Sequence, residues 1–364
     1  MNIAVLISGG VDSAVVVDKL FREGHKLTLF YIRIGMDNED GDCSAEEDIE
    51  MCSLIASRYD LPFKIVPLHQ EYWDYVMGYA LESVKNGFTP NPDMMCNKFI
   101  KFGFFEQRYG KDFDKTATGH YARIETVNDI QYLATACDPI KDQTDFLSAI
   151  SYKQLCHSMF PIGDLPKEEV RKLAETAHLP NAGRKDSQGI CFLGKIDYRE
   201  FIKRKLGVWK GEVIDIESEK VIGTHDGHWL YTIGQRKGLG LGGGPWFIIK
   251  KDSEKNRIFV SRGYETPLQY KKDISIGKIH WISGDPFSQS LLRNGKVDIA
   301  KTHESAEICF KIRHTPDFAN GRLIMENGNN CILSDSEIQG VAPGQFATIY
   351  TPDHKLCLGN AMII

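Results

Sequence analysis

No C-x-x-C pair occurs in this chain, and its nine cysteines are scattered and odd in number. That pattern excludes a zinc ribbon and argues against a secreted disulfide framework. In a reducing compartment most of these thiols are expected to be buried packing residues. Any exception has to be there for chemistry. Long apolar runs are missing too: none approaches the roughly 18 residues that cross a membrane. The opening MNIAVLISGG has no basic n-region, and its apolar stretch is too short for a signal peptide. The expectation is a cytoplasmic protein with no membrane partner. An excess of positive charge is also lacking. The net charge is −5, so there is no strong global pull towards nucleic acid, although local basic patches are allowed.

What is present is ordinary globular material: 364 residues, 42% hydrophobic and 26% charged. That length suggests two or three domains. The first half alternates strand and helix. IAVLI, KLTLFYIRI and PFKIVPL read as strands. SAVVVDKLFREG reads as a helix ending at Gly24, and EYWDYVMGYALESVKNG as another. SAEEDIEMCSLIASRYD opens with a capping box, Ser44 three residues before Glu47, and places Ile49, Cys52, Ile55, Ala56 and Tyr59 at helical spacing. DKTATGHYAR reads as a strand running into a loop. Helices follow around residues 143–158 and 166–177, the second with Pro166 at its start and acidic residues in its first turn. Repeated βα units predict an α/β fold with a doubly wound parallel sheet over residues 1–204.

Beyond about residue 205 glycines crowd in (GLGLGGGP) and helical periodicity fades. A small β-rich central domain is expected over 205–268 and a C-terminal β-barrel over 269–364. In AEICFKIRH, Ile308, Phe310 and Ile312 alternate with Cys309, Lys311 and Arg313. That spacing predicts one apolar face and one polar face.

Ser8-Gly9-Gly10-Val11-Asp12-Ser13 follows the first strand and opens the first helix. Two glycines let the backbone approach an anion closely, and Ser8 and Ser13 offer hydroxyls. The helix turns its unpaired N–H groups and positive end towards the ligand. The lysine that grips the terminal phosphates in a P-loop is absent. Two further loops each set a cysteine among cations. TPNPDMMCNKFIKFG brackets Asn91 with two prolines, so a rigid non-helical loop is expected before Cys96, with Lys98 and Lys101 beyond it. GRKDSQGICFLG puts Arg184 and Lys185 ahead of Cys191. Nearby cations favour the thiolate, the nucleophilic form.

SGGVDS resembles the PP-loop of ATP pyrophosphatases, which cleave ATP between its α- and β-phosphates. With CSAEEDIE, TPNPDMMCNKFIKFG, TGHYAR, KDQTDFLS, FPIGDLPKEEVR, KDSQGICFLG, YTIGQRKGLGLGGGPWF, KIRH and APGQFA, the chain resembles the tRNA-specific 2-thiouridylases of the MnmA type. The resemblance covers all three regions. It implies a PP-loop domain, akin to the adenine nucleotide α-hydrolases, then a small tRNA-binding central domain and a C-terminal β-barrel. The implied reaction is ATP-dependent adenylation of the C2 oxygen of the wobble uridine in tRNAs for lysine, glutamate and glutamine. Sulfur then replaces that oxygen, giving 2-thiouridine.

The resemblance also implies residue roles. Cys191 would carry sulfur as a persulfide and Cys96 would be the second catalytic cysteine. On one route Cys96 would attack the Cys191 persulfide, freeing hydrosulfide and leaving a Cys96–Cys191 disulfide. On the other the persulfide would attack C2 directly. Asp93 would serve proton transfer or base contact. ATP would be bound by Leu6, Ile7, Ser8, Gly9, Gly10, Val11, Asp12, Ser13, Ile32 and Gly119. Ile32 stands where the family usually has methionine. Asn91, Pro92 and Asp93 would surround the target base. His120, Lys141, Asp142, Gln143, Arg313, His314 and Gln345 would contact tRNA. His314 replaces a common tyrosine, and Asp145 stands where an aromatic is usual. Mg²⁺ is implied with the phosphates, but no compact carboxylate cluster fixes its ligands, and Asp12 is the carboxylate within the loop. A sulfur donor is implied as partner, either a cysteine desulfurase or a relay protein. Lys203, Arg204, Lys205, Lys210, Arg236 and Lys237 are candidate phosphate contacts. Two other readings of the same loop remain: a PP-loop enzyme that thiolates a different nucleotide, or one that acts on a small molecule. The second would need neither cysteine.

Overall fold

The computed structural model describes residues 1–35, 43–185, 198–264, 266–287, 303–326 and 329–364. Cys191 and most of its loop lie outside the described residues, as does the side chain of Ser44 in the expected capping box.

The first unit runs β1 (Asn2–Leu6), α1 (Val11–Arg22), β2 (Lys26–Arg33), α2 (Cys43–Arg58) and β3 (Phe63–Pro67). A helix over 69–85 (α3) and one over 92–108 (α4) follow. Next come β4 (Lys115–Ala117), a hairpin of β5 (Arg123–Val127) and β6 (Ile130–Ala134), α5 (Thr144–Leu147), α6 (Tyr152–His157), β7 (Ser158–Met159) and α7 (Lys167–Thr176). Where one helical stretch is expected around 143–158, the structure has two short helices. The second is closed by a capping box in which Ser151 and Gln154 bond each other's backbone N–H groups.

The sheet is parallel, with order β3-β2-β1-β4-β7. Its near-continuous apolar strands are covered on both faces, as parallel sheets require. One face packs Val15, Cys52, Ile55 and Val170 from α1, α2 and α7. The other packs Phe30 and Val66 against Met77, Met95 and Phe105 from α3 and α4. The winding reverses between β1 and β4, which puts a crevice at the carboxyl ends of those two strands.

Helix α8 (Tyr198–Leu206) buries Phe201 and Ile202 in that second core and leads into the central unit. The central unit has four strands, β8 (Gly211–Asp215), β9 (Val221–His225), β10 (Trp246–Asp252) and β11 (Arg257–Arg262), in the order β10-β11-β8-β9 around Val213, Ile248, Ile258 and Val260.

The third unit contains β12 (Tyr270–Ile276), β13 (His280–Trp281), β14 (His303–Lys311), β15 (Ala319–Glu326), β16 (Asn329–Gln339), β17 (Phe346–Tyr350) and β18 (Leu356–Met362). Pairing runs β12-β16-β15-β14-β17-β18, and an Ile276–Ile363 bridge joins β12 back to the end of β18. This closes the expected barrel around Ile308, Phe310, Leu323 and Ile349. Hairpin β5–β6 adds to the same sheet through β6–β18 pairing, with Leu133 opposite Cys357. The barrel sheet thus borrows two strands from within the first unit. A shared core of Phe102, Leu147, Ile150, Cys309 and Tyr350 welds the two units together.

Candidate active site

At the crevice the chain turns from β1 into α1. Gly9 has φ +74° and is buried; a Cβ there would lie 3.0 Å from Arg184 Nη1 and 3.1 Å from the Asp48 backbone. Its carbonyl accepts from Asn181 Nδ2 (2.9 Å) and Arg184 Nη1 (3.2 Å), and Arg184 also pairs with Asp48 (2.5 Å). Gly10 is the N-cap of α1 and provides no side-chain cap, so the first-turn N–H groups are available to an anion. Ser8 is exposed. Ser13 is buried and braces the loop: its Oγ accepts from Ser8 N (3.2 Å) and donates to the Gly10 carbonyl (3.0 Å).

Gly119, just after β4, comes close enough to α1 that a Cβ would lie 3.0 Å from Ser13 N. Leu6 and Ile32 pack in the cluster that also holds Cys96. Sequence reasoning gave the loop but missed its supports, Asn181 and Asp48. It also assigned Arg184 to the Cys191 loop, whereas the guanidinium is spent on Gly9 and Asp48.

Asp12 does not offer an open carboxylate. It accepts from Lys167 Nζ at 2.7 and 2.9 Å and from Tyr121 Oη at 2.8 Å. No group of three or more His, Cys, Asp or Glu side chains suited to a metal occurs among the described residues. The described residues therefore do not fit a Mg²⁺ site held by the protein.

The segment before Cys96 is helical sooner than its prolines suggest. Asn91 caps α4, accepting from Met94 N at 3.1 Å, and Pro92 sits at the first helical position with its φ already set. Asp93 and Cys96 therefore ride on the start of α4. From Cys96 to Phe104 this helix widens to π geometry, a form common at functional sites. Gln154 Nε2 donates to the carbonyls of Lys98 (3.0 Å) and Phe102 (2.7 Å), and Asn97 Nδ2 donates to the Phe146 carbonyl (3.1 Å). These bonds fix the half-buried Cys96 against α5 and α6. Lys98 lies over the Phe99 ring. Lys101 reaches His120 instead, with Nζ 3.3 Å from Nε2.

An ammonium only donates, so His120 Nε2 accepts and Nδ1–H donates to Thr118 Oγ1 at 2.7 Å. Burial, and then Lys101, hold the His120 pKa well below the usual imidazole value. Burial raises the Asp93 carboxyl above its ordinary value, Lys101 and His314 oppose this, and Asp145 adds to it.

The residues expected to touch tRNA fall into two groups. Asp142 is buried: it accepts from Ala136 N (3.0 Å), Thr144 Oγ1 (2.8 Å) and Lys311 Nζ (3.2 Å). Gln143 braces Tyr121 through its side chain and backbone. Gln345 is 9% exposed and holds Ala342 N. His120 has both ring nitrogens engaged. In contrast, Lys141 is half-buried and Arg313 and His314 are exposed, Arg313 donating to the Gly340 carbonyl (2.6 Å). The polar face expected around β14 is internal at its centre: Cys309 and Lys311 are buried, while Glu307 and, beyond the strand, Arg313 reach solvent.

The barrel also holds the Asn91 segment. The Pro343 carbonyl accepts from Thr89 N at 2.8 Å, and Gly344 (φ +88°) packs so tightly that a Cβ would meet Phe88 Cβ at 2.6 Å. Lys203 and Lys210 both pair with Asp226, Lys205 lies over Trp73, and Arg204 is exposed. Arg236 donates to Tyr264 Oη (2.7 Å) at the edge of an open cleft of about 520 Å³ in the glycine-rich loop, and Lys237 is exposed.

Comparison with known proteins extends over the whole chain. Family models described as tRNA methyl transferase HUP domain, tRNA methyl transferase PRC-barrel domain and aminomethyltransferase beta-barrel domain match residues 1–195, 199–262 and 271–363. A tRNA-specific 2-thiouridylase MnmA of Porphyromonas gingivalis is 54% identical over 100% of this chain and 99% of its own length. The protein of the same name from Parabacteroides distasonis is 55% identical with the same coverage. A solved U34-tRNA thiolase NcsA from Methanococcus maripaludis aligns over 56% of this chain and 64% of its own, at 18% identity and TM-score 0.34. With a PP-loop crevice, a cysteine on an adjoining helix and full-length identity of this order, the chain belongs to the MnmA-type tRNA 2-thiouridylase family of the PP-loop superfamily.

Proposed function

We infer that this chain is a tRNA-uridine 2-sulfurtransferase acting on the wobble uridine of tRNAs for lysine, glutamate and glutamine. The full-length identity to proteins named as 2-thiouridylases carries this reading. The packing of Leu6, Ile32 and Cys96 in one cluster supports it, because it puts Cys96 against the carboxyl ends of β1 and β2, where the anion loop begins. ATP, when bound, supplies an adenylyl group to the uridine C2 oxygen, which turns a poor leaving group into AMP.

The chain's own part begins with the bare first turn of α1 and the left-handed Gly9, which hold the departing pyrophosphate. Asp12, locked by Lys167 and Tyr121, fixes the helix start rather than binding metal, so Mg²⁺ would arrive with the phosphates. Asp93 orients the base and moves a proton at the pyrimidine ring. Sulfur arrives from a donor protein onto Cys191 as a persulfide. On one route Cys96 thiolate attacks the Cys191 sulfur of that persulfide, forms a Cys96–Cys191 disulfide and releases hydrosulfide, which attacks C2 and expels AMP. On the other the terminal persulfide sulfur attacks C2 directly and expels AMP, and Cys96 thiolate then attacks the Cys191 sulfur, giving the same disulfide and leaving the outer sulfur on C2. Either way a dithiol must return two electrons before the next turnover. No described helix is long and apolar enough to cross a membrane.

The test is mass analysis of tRNA nucleosides after incubation with ATP, Mg²⁺ and a persulfide-loaded cysteine desulfurase. The native chain should yield 2-thiouridine and AMP. Cys96→Ser should abolish the thionucleoside yet still bind ATP with native affinity. A methylated nucleoside, or full thiolation by the Cys96 variant, would overturn the reading.

A further inference from the structure

His314 follows β14 in the barrel, and Asp145 lies in the second position of α5, 169 residues earlier. The structure brings them together. His314 Nδ1 lies 3.2 and 3.1 Å from the two Asp145 oxygens, and its ring packs on Phe146 at 4.5 Å between centroids. Asp145 is 6% exposed, and a carboxylate that deep needs a cationic partner. Helix α5 packs against the first turn of α4, which carries Asp93. Asp93 interacts electrostatically with both members of the pair and with Lys101.

We propose that His314 and Asp145 form a positioning pair for Asp93, in which the protonated imidazole of the barrel balances two carboxylates beside the target base and thiolation falls when that proton leaves. The proposal rests on the reading of Asp93 as an active-site group.

The charges can be counted around the cluster. Lys311, on the strand that leads to His314, is paired with Asp142 from the neighbouring loop, and the two cancel. Buried His120 is neutral and holds Lys101 in place. Asp93 and Asp145 then face Lys101 and His314, for a sum of zero. If His314 deprotonates, the cluster becomes anionic. An anionic cluster repels the incoming sulfur anion and the phosphate of the activated base, and it leaves Asp145 pushing on Asp93. The bond to Asp145 raises the His314 pKa above the usual imidazole value, against burial and Lys311. The pair is therefore formed at neutral pH and lost as pH rises through that raised value.

The experiment is single-turnover thiolation of the tRNA between about pH 6 and pH 9, a window around the histidine range, with persulfide-loaded protein. NMR titration of the His314 ring runs in parallel. The native chain should lose rate on an alkaline limb that coincides with the His314 titration. Asp145→Asn should move both to lower pH by about one unit or more, since an opposite charge at this distance is worth that much. His314→Arg keeps a cation and should remove the limb while retaining the plateau. His314→Gln should show the low rate at every pH. A native limb that Asp145→Asn leaves in place, or that persists in His314→Arg, overturns the pair. Absence of thiolation by the native chain at any pH overturns the function reading instead, while the NMR shift still reports on the pair itself.

Discussion

Two corners of the crevice are built in opposite ways. The anion loop is one continuous stretch of four residues between β1 and α1, and its chemistry comes from backbone N–H groups and a left-handed glycine. The corner to which the proposed function assigns sulfur and base is assembled from the start of α4, from α5 and from the barrel. It is held by Asp142–Lys311, Asp145–His314 and the Pro343–Thr89 bond. The first corner should work wherever the first unit is folded, because its supports Asp48, Asn181 and Arg184 all belong to that unit. The second should fail whenever the barrel lets go.

The largest break in that comparison is expected at Lys311, which is 1% exposed and paired with an equally buried Asp142. Lys311→Met strands a buried carboxylate and should cost about 3–5 kcal/mol. That should appear as a lowered melting temperature. Below that temperature thiolation should fall much further than ATP affinity. Adding Asp142→Asn should recover part of the loss, and a loss shared equally by ATP binding would erase the distinction between the corners. A smaller effect is expected at Gly9. Gly9→Ala puts a Cβ into a left-handed position against Arg184 and the Asp48 backbone. At roughly 1–2 kcal/mol it should weaken ATP binding about tenfold. Transfer of sulfur from donor protein to Cys191 should stay unchanged, as read by labelled persulfide.

The same contrast explains what the sequence disclosed. The loop was legible because its residues are contiguous and their order sets the geometry. The parallel sheet and the barrel were legible because apolar periodicity reports burial. Cys96 was legible through its surrounding string, although its prolines suggested a longer loop; Pro92 instead starts a helix. The Asp145–His314 contact was not legible, because no local pattern links positions 169 apart. Nor was the burial of Lys311. Strict alternation marks a polar face, but the 142–148 segment covers that face from another unit. Hairpin β5–β6 joins the barrel through pairing with β18, a partner more than two hundred residues away, which local propensity does not encode.

The central claim is that the anion loop serves to make the uridine C2 oxygen leave as part of AMP. The direct test places a heavy oxygen isotope at C2 of the wobble uridine and follows it through one turnover with ATP and persulfide-loaded protein. The label should appear in the phosphate of AMP as 2-thiouridine forms. Label released into water, or found in inorganic phosphate beside ADP, would contradict it.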